Sequence, residues 1–352
     1  MRHRFLVPLS ALAAALAGAV ALLSLAVSMP GQSPATPAKA APSKSTGTSK
    51  AATPPRTPWG DPDLQGTWFV MFDVPLERSA ANAGKEFLTD EQVAAADAAK
   101  GVNPGRNARS ADKTQDVSGA YNAVFNSILK TGKRTSMIID PPDGRIPAFT
   151  PEARKREDAR AEERLRRAGP DPADSWEDRS LGERCITRGV PKLPGAYNNN
   201  VQIVQSPRYV TILQEMIHEV RTIPLDGRPH IDKSIRQWVG DPRGRWEGNT
   251  LVVDTTNYTY KPVFNAFNCC RGASGNLHLV ERFRRIDADT IDYQYTVDDP
   301  TTYTRPWTVS VPMTRSEGPI YEYACHEGNY GMLGILSGHR ADEKAAAEAA
   351  KR

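Results

Sequence analysis

From Asn200 to Tyr323 the chain alternates apolar and polar positions in short runs rich in Val, Ile, Thr, Tyr and Trp, each closed by turn residues at hairpin spacing. The runs predict strands at Val201–Gln205, Tyr209–Glu219, Arg221–Leu225, Ile235–Val239, Asn249–Tyr258, Leu277–Ile286, Thr290–Asp298, Thr304–Met313 and Ile320–Ala324. Their punctuation is turn chemistry: Ser206-Pro207, Asp226-Gly227, Asp241-Pro242-Arg243-Gly244, Gly248-Asn249, Asp287-Ala288-Asp289 and Asp299-Pro300. No helix-length pattern separates the strands, which excludes a parallel α/β sheet. The expected fold class is mainly β, an antiparallel meander curled around one pocket, preceded by an irregular, partly helical part.

That earlier part reads differently. Thr89-Asp90-Glu91-Gln92 has the form of a capping box opening a helix that runs to about Lys100. Thr150 to Ala168 predicts a second helix, with Pro151 in its first turn and charge on nearly every face, the pattern of a solvated helix. Asp140-Pro141-Pro142-Asp143-Gly144-Arg145 between them is turn chemistry. Gly66-Thr67-Trp68 resembles the Gly-x-Trp of the first strand in lipocalin-like barrels, and implies a barrel of that kind.

The ends of the chain carry no such periodicity. Arg2, His3 and Arg4 precede an apolar stretch from Phe5 to Val27, and Ala26 with Ser28 gives a small-x-small cleavage pattern, so residues 1–28 are expected to be a signal peptide. An uncleaved membrane anchor is the alternative, because the apolar stretch is long enough to span a bilayer of about 30 Å. Residues 29–58 collapse to Ala, Pro, Ser, Thr and Lys, a disordered tether with almost nothing to bury. One β-rich domain is expected over 59–340, irregular and helical in 59–199 and sheet or barrel in 200–340, with a frayed tail at 341–352. The expected location is periplasmic or secreted.

The charge balance follows from this division. The chain has a formal net charge of +4, but residues 1–58 hold six basic residues and no acid, which leaves 39 basic against 41 acidic residues in the remainder. A basic surface for nucleic acid is therefore excluded from the folded part, and membrane contact is expected only through an uncleaved N-terminal segment.

Strand parity singles out a few side chains. In Asn276–Ile286, Leu277, Leu279, Glu281 and Phe283 share one face while His278, Val280, Arg282 and Arg284 share the other, so Glu281 falls among apolar neighbours. His218 shares parity with Val210, Ile212, Met216 and Val220. A carboxylate and an imidazole so placed are costly unless partnered, which makes them either a buried structural pair or acid/base groups in the pocket. His326 and Glu327, in the run Tyr321–Tyr330, complete the catalytic candidates Glu281, His218, His326 and Glu327. Tyr197, Asn199, Arg221, Trp238, Arg245, Trp246 and Tyr323 are the ligand-binding candidates, since indole, phenol, amide and guanidinium groups stack on or fork around small planar molecules. The competing reading places Trp238 and Trp246 in the core and pairs the arginines with Asp241, Glu247 and Asp254. No HExxH, HxH, CxxC or Gly-x-Ser-x-Gly pattern occurs, so neither a metal, nor a cofactor, nor a serine nucleophile is expected.

Four cysteines in an exported chain allow three complete pairings. A bridge between the neighbours Cys269 and Cys270 is uncommon, and Cys185 with Cys325 is the favoured pair.

Five segments carry a further resemblance: Pro58–Trp68 (PWGDPDLQGTW), DPPDGRIP at 140–147, Glu183-Arg184-Cys185-Ile186, RGRWEGNTLVVD at 243–254 and YEYACHEGN at 321–329. Together they resemble a family of exported proteins of soil and aquatic bacteria. The resemblance implies export and a common fold, and it carries no activity and no catalytic residues. Two functions are expected from the residues: binding of a small hydrophobic or aromatic molecule in the barrel pocket or, as the alternative, a periplasmic hydrolase or lyase using Glu/His acid-base chemistry there.

Overall fold

The computed structural model describes residues 55–70, 72–102, 130–168, 173–195, 197–259, 270 and 272–351. The expected signal peptide, the tether as far as residue 54, and Cys269 lie outside the described residues.

The strands are β1 (Gly66–Val70), β2 (Phe72–Asp73), β3 (Lys130–Thr131), β4 (Ile138–Asp140), β5 (Asn200–Ser206), β6 (Tyr209–Gln214), β7 (Glu219–Pro224), β8 (Asp241–Glu247), β9 (Thr250–Thr256), β10 (His278–Arg285), β11 (Thr290–Asp298), β12 (Trp307–Ser310) and β13 (Met313–Arg315). Eleven of them form one antiparallel sheet, bonded in the order β7-β6-β5-β1-β13-β11-β10-β9-β8, with β12 beside β11 and β4 beside β12. The sheet curls until β7 meets β8, so the barrel is nearly closed. A Cβ on Gly244 would lie 2.6 Å from Leu225 Cδ2 and 2.8 Å from Ile223 Cγ2. The absent side chain at Gly244 is what lets β8 approach β7 at this seam.

Period-two burial makes the interior. Val201 and Ile203 of β5, Val210 and Ile212 of β6, Ile223 of β7, Leu251 and Val253 of β9, Leu279 and Phe283 of β10, and Ile291, Tyr293, Tyr295 and Val297 of β11 are all buried. Trp68 on β1 is fully buried, donates from Nε1 to the Leu64 carbonyl at 2.9 Å, and lies under the guanidinium groups of Arg285 and Arg315. Gln205 clasps the preceding segment, accepting from Leu64 N at 2.6 Å and donating to the Pro62 carbonyl at 3.1 Å. Within the motif over 58–68 these contacts close one end of the barrel with hydrogen bonds and cation–π contacts.

Among the described residues three α-helices accompany the sheet: α1 (Asp90–Val102), α2 (Pro151–Ala168) and α3 (Tyr330–Ala349). The expected capping box is present, with Gln92 N donating to Thr89 Oγ1 at 3.3 Å and Thr89 N to Gln92 Oε1 at 3.0 Å. Thr150 caps α2, its hydroxyl accepting from Ala153 N at 3.1 Å.

Several expected elements are corrected. The run Tyr209–Glu219 ends as a strand at Gln214, because a 3-10 turn over Met216–His218 puts Ile217 and His218 at positive φ and reverses the chain into β7. Ile235–Val239 is not a strand. Its pairing is limited to one isolated parallel bridge between Gln237 and Tyr258, and the Asn257 amide donates to the Ile231, Asp232 and Ile235 carbonyls and holds the segment as a loop. Thr304–Met313 divides into β12 and β13, and Ile320–Ala324 is irregular, with Tyr321 N donating to the Glu215 side chain instead of to a ladder. Most of the tail expected to fray belongs to the long helix α3. β1 comes from the part expected to be irregular and lies between β5 and β13.

Candidate functional site

Glu281 points into the barrel from β10 and has no exposed surface. From β7, Arg221 grips it with two bonds, Nη1 to Oε2 at 2.6 Å and Nη2 to Oε1 at 3.0 Å, and Tyr293 donates its hydroxyl to Oε1 at 2.8 Å. Burial works against the charge on Arg221, but the Glu281 carboxylate outweighs it and raises the guanidinium pKa. Burial, reinforced by Glu281, pushes the Tyr293 phenol far above its ordinary range. The carboxylate is thus fully engaged. Its chemistry is that of a buried ion pair with satisfied oxygens, the structural option named for it above.

The same pair floors a cavity of about 10 Å³, lined by Lys192, Val201, Ile212, Gln214, Arg221, Glu281, Phe283, Tyr293 and Met313. That volume is about what one water molecule needs. Lys192 stands at its outer side. It is half-buried where the other lining residues are buried, and Nζ makes one hydrogen bond among the described residues, to the Asn198 carbonyl at 3.3 Å. Burial pulls the Lys192 pKa down to about 8; Glu215 opposes this, Arg188 adds to it and Glu219 opposes it. Burial raises the pKa of Glu219 despite the Thr187 hydroxyl, which donates to its carboxylate at 2.7 Å. Glu215 is spent on structure, accepting from Asn200 N, Asn200 Nδ2 and Tyr321 N.

Two segments outside the sheet wrap this end of the barrel. Residues 183–199 and 320–329 are joined by the Cys185–Cys325 disulfide, as expected, and by a hydrogen bond from Asn329 Nδ2 to the Glu183 carbonyl at 2.9 Å. Cys270 is disulfide-bonded as well. The Cys185–Cys325 link, 140 residues apart in sequence, stabilises by about 2–4 kcal/mol. Tyr197 from the first segment stacks on Tyr323 from the second, with ring centroids 6.3 Å apart and planes at 22°. The next residue along, Asn198, holds Lys192, so the aromatic pair and the amine belong to one rim.

The ligand-binding candidates therefore divide. Tyr197, Tyr323 and Arg221 gather at this end. Asn199 belongs to it but is consumed in closing its own loop, accepting from Gly195 N and donating to Gly195 O, each at 2.7 Å. Arg245 is exposed on the outer face of β8 and pairs with Glu247 at 2.7 Å, while Trp246 packs against the core and Trp238 is half-buried in the loop before β8. The catalytic candidates do not converge. His218 is exposed, its Nδ1 3.2 Å from the Tyr323 carbonyl, and the parity that put it inside fails because the turn at Ile217 reverses the chain before it. His326 and Glu327 are exposed in a turn.

A second cluster escaped the sequence reading. On the outer face, His230 Nδ1 meets Asp241 Oδ2 at 3.0 Å, His230 Nε2 meets Asp254 Oδ1 at 3.2 Å, and His278 Nε2 meets Asp254 Oδ2 at 2.9 Å. Hydrogen bonding to Asp254 raises the His278 pKa, and the same contact first among several lowers that of Asp254. The outward parity of His278 was readable; its pairing with Asp254 needed the register of β9 on β10. Asp174, His339 and Glu343 have metal-ligand spacing, but Arg340 already donates to Glu343 at 3.1 Å and supplies the positive charge a cation would bring. Among the described residues no helix is long and apolar enough to cross a membrane. The chain matches no protein-family description, no curated protein and no solved structure.

Proposed function

We propose that this protein is exported and binds a small aromatic molecule with a compact oxygen-bearing head at the Lys192 end of the barrel. The observation that carries this reading is the cavity between Lys192 and the Arg221–Glu281 pair, walled by Val201, Ile212, Phe283 and Met313. Ligand pockets for drug-sized molecules run to several hundred Å³. A cavity of about 10 Å³ therefore takes only a head group, in the place of a single water, with Lys192 and Gln214 as donors and Arg221 behind them. The ring of such a ligand would lie outside, on the Tyr197–Tyr323 pair. Export is supported by the N-terminal pattern of charge and apolar residues and by the Cys185–Cys325 disulfide, which suits an oxidising compartment. The acid-base alternative has no observation in its favour, because Glu281 is locked by Arg221 and Tyr293 while His218, His326 and Glu327 face outward.

The test uses protein expressed from the full chain and released by osmotic shock, so that recovery in that fraction checks export. Titration with benzoate, followed by calorimetry, is expected to show one saturable site with Kd below about 1 mM. Tyr323→Ala is expected to weaken it about tenfold through lost stacking. Absence of saturable binding, or equal affinity in Tyr323→Ala, would remove this assignment.

A further inference from the structure

Lys192 differs from an ordinary surface lysine in three ways. It lines a one-water cavity whose walls are Val201, Ile212, Phe283 and Met313 on one hand and the already engaged Arg221, Glu281 and Tyr293 on the other, it has no carboxylate at ion-pair distance among the described residues, and its hydrogen bond to Asn198 is long at 3.3 Å. The nearest strong anion in the cavity, Glu281, is already gripped by Arg221 in both oxygens. An amine so placed loses hydration without gaining an ion pair, which favours the neutral form and frees its lone pair. The cavity that Lys192 lines also admits only a small head.

Resting on the binding site argued above, we propose that Lys192 is a covalent anchor for carbonyl ligands, forming an imine with an aromatic aldehyde or ketone whose C=O enters the cavity. In the first step the Nζ lone pair forms a bond to the carbonyl carbon, the C=O π pair moves to oxygen, and that oxygen takes a proton while Nζ loses one, giving a carbinolamine. In the second, the hydroxyl takes a proton from water and leaves as water while the nitrogen lone pair closes the C=N bond, and the iminium nitrogen then returns that proton to solvent. One carbonyl and one amine thus yield one imine and one water, with no oxidant or reductant. Gln214 and Arg221 line the space where the carbonyl oxygen would develop charge.

The experiment is reductive trapping. Full-length protein is mixed with near-stoichiometric benzaldehyde and sodium cyanoborohydride at pH 8, and the labelled site is located by intact mass and peptide mapping. One benzyl group on Lys192 is expected, at least tenfold ahead of the exposed Lys133, Lys155 and Lys344. Lys192→Met is expected to abolish that label. Lys192→Arg, which keeps the charge, serves if the Met variant fails to fold. Label spread over the exposed lysines with Lys192 no faster, or equal labelling of the Lys192 variants, would overturn the proposal. Benzoate titration of the same preparation separates the two ideas: benzoate binding without trapping removes the imine alone, and loss of both removes the site.

Discussion

Arg221 and Lys192 line one small cavity, yet the barrel treats their charges in opposite ways. Arg221 is held by a two-pronged carboxylate, and the pair is closed off by Tyr293. Lys192, a few side chains away, has a single carbonyl at 3.3 Å. Burial disfavours both cations; the partner decides the outcome, so the guanidinium pKa rises while the ammonium falls to about 8. A buried charge with a full complement of partners is part of the scaffold, whereas one left without them is available for chemistry.

The comparison breaks first at the ion pair. Glu281→Gln should cost about 3–5 kcal/mol of stability in guanidinium unfolding, because it strands Arg221 in the interior. Arg221→Met with Glu281→Met should recover most of that loss. A single variant as stable as the parent would show that the interior does not need the pair.

Lys192 sharpens the comparison through pH. Its folded pKa of about 8 lies below the ordinary 10.5, so the unfolded chain binds more protons between these values and stability rises with pH across that window. Below it both states are protonated and the burial penalty is fully present. Lys192→Met has no such penalty. The parent should therefore gain on this variant by about 2 kcal/mol as pH rises from 8 to 10; parallel stability curves would mean that Lys192 titrates like a surface lysine.

The smallest effect belongs to the outer cluster, where water shares the charge. His278 has a raised pKa, so its contribution is complete below 6.5 and fades as pH rises through the folded value. Asp254 has a lowered one, so its contribution is complete above 3.8 and is lost as pH falls through the folded value. His278→Asn should thus lower stability most between these limits, by less than about 1 kcal/mol because the pair is half-exposed. A deficit independent of pH would deny the His278–Asp254 ion pair.

Much of the barrel could be read in advance because its information is local. Thr290–Asp298 alternates strictly and is a strand over that whole span, and Glu281 was placed inward by counting from Phe283. The same counting misplaced His218, since the reversal at Ile217 carries no Gly, Pro, Asn or Asp to mark it; a β-branched side chain at positive φ is held there by its surroundings. Lys192 could not be found by any pattern. It lies in the irregular stretch Pro191–Gly195, and what sets it apart is a single carbonyl partner with no carboxylate at ion-pair distance among the described residues, which only packing reveals.

The sequence by itself determined the β-rich character of the second half, the extent of runs such as Thr290–Asp298 and which face of them is apolar, because strand periodicity and capping residues act within a few neighbours; it misread Asp241-Pro242-Arg243-Gly244 as a turn where β8 begins. It also pointed to Cys185 and Cys325 as the bridging pair. Tertiary structure decided the rest: that β1 enters between β5 and β13, that Gly244 lets the barrel close, and that Glu281 meets Arg221 across the interior. Desolvation and pairing depend on atoms brought from distant parts of the chain, so the character of each charge is settled only when the barrel folds.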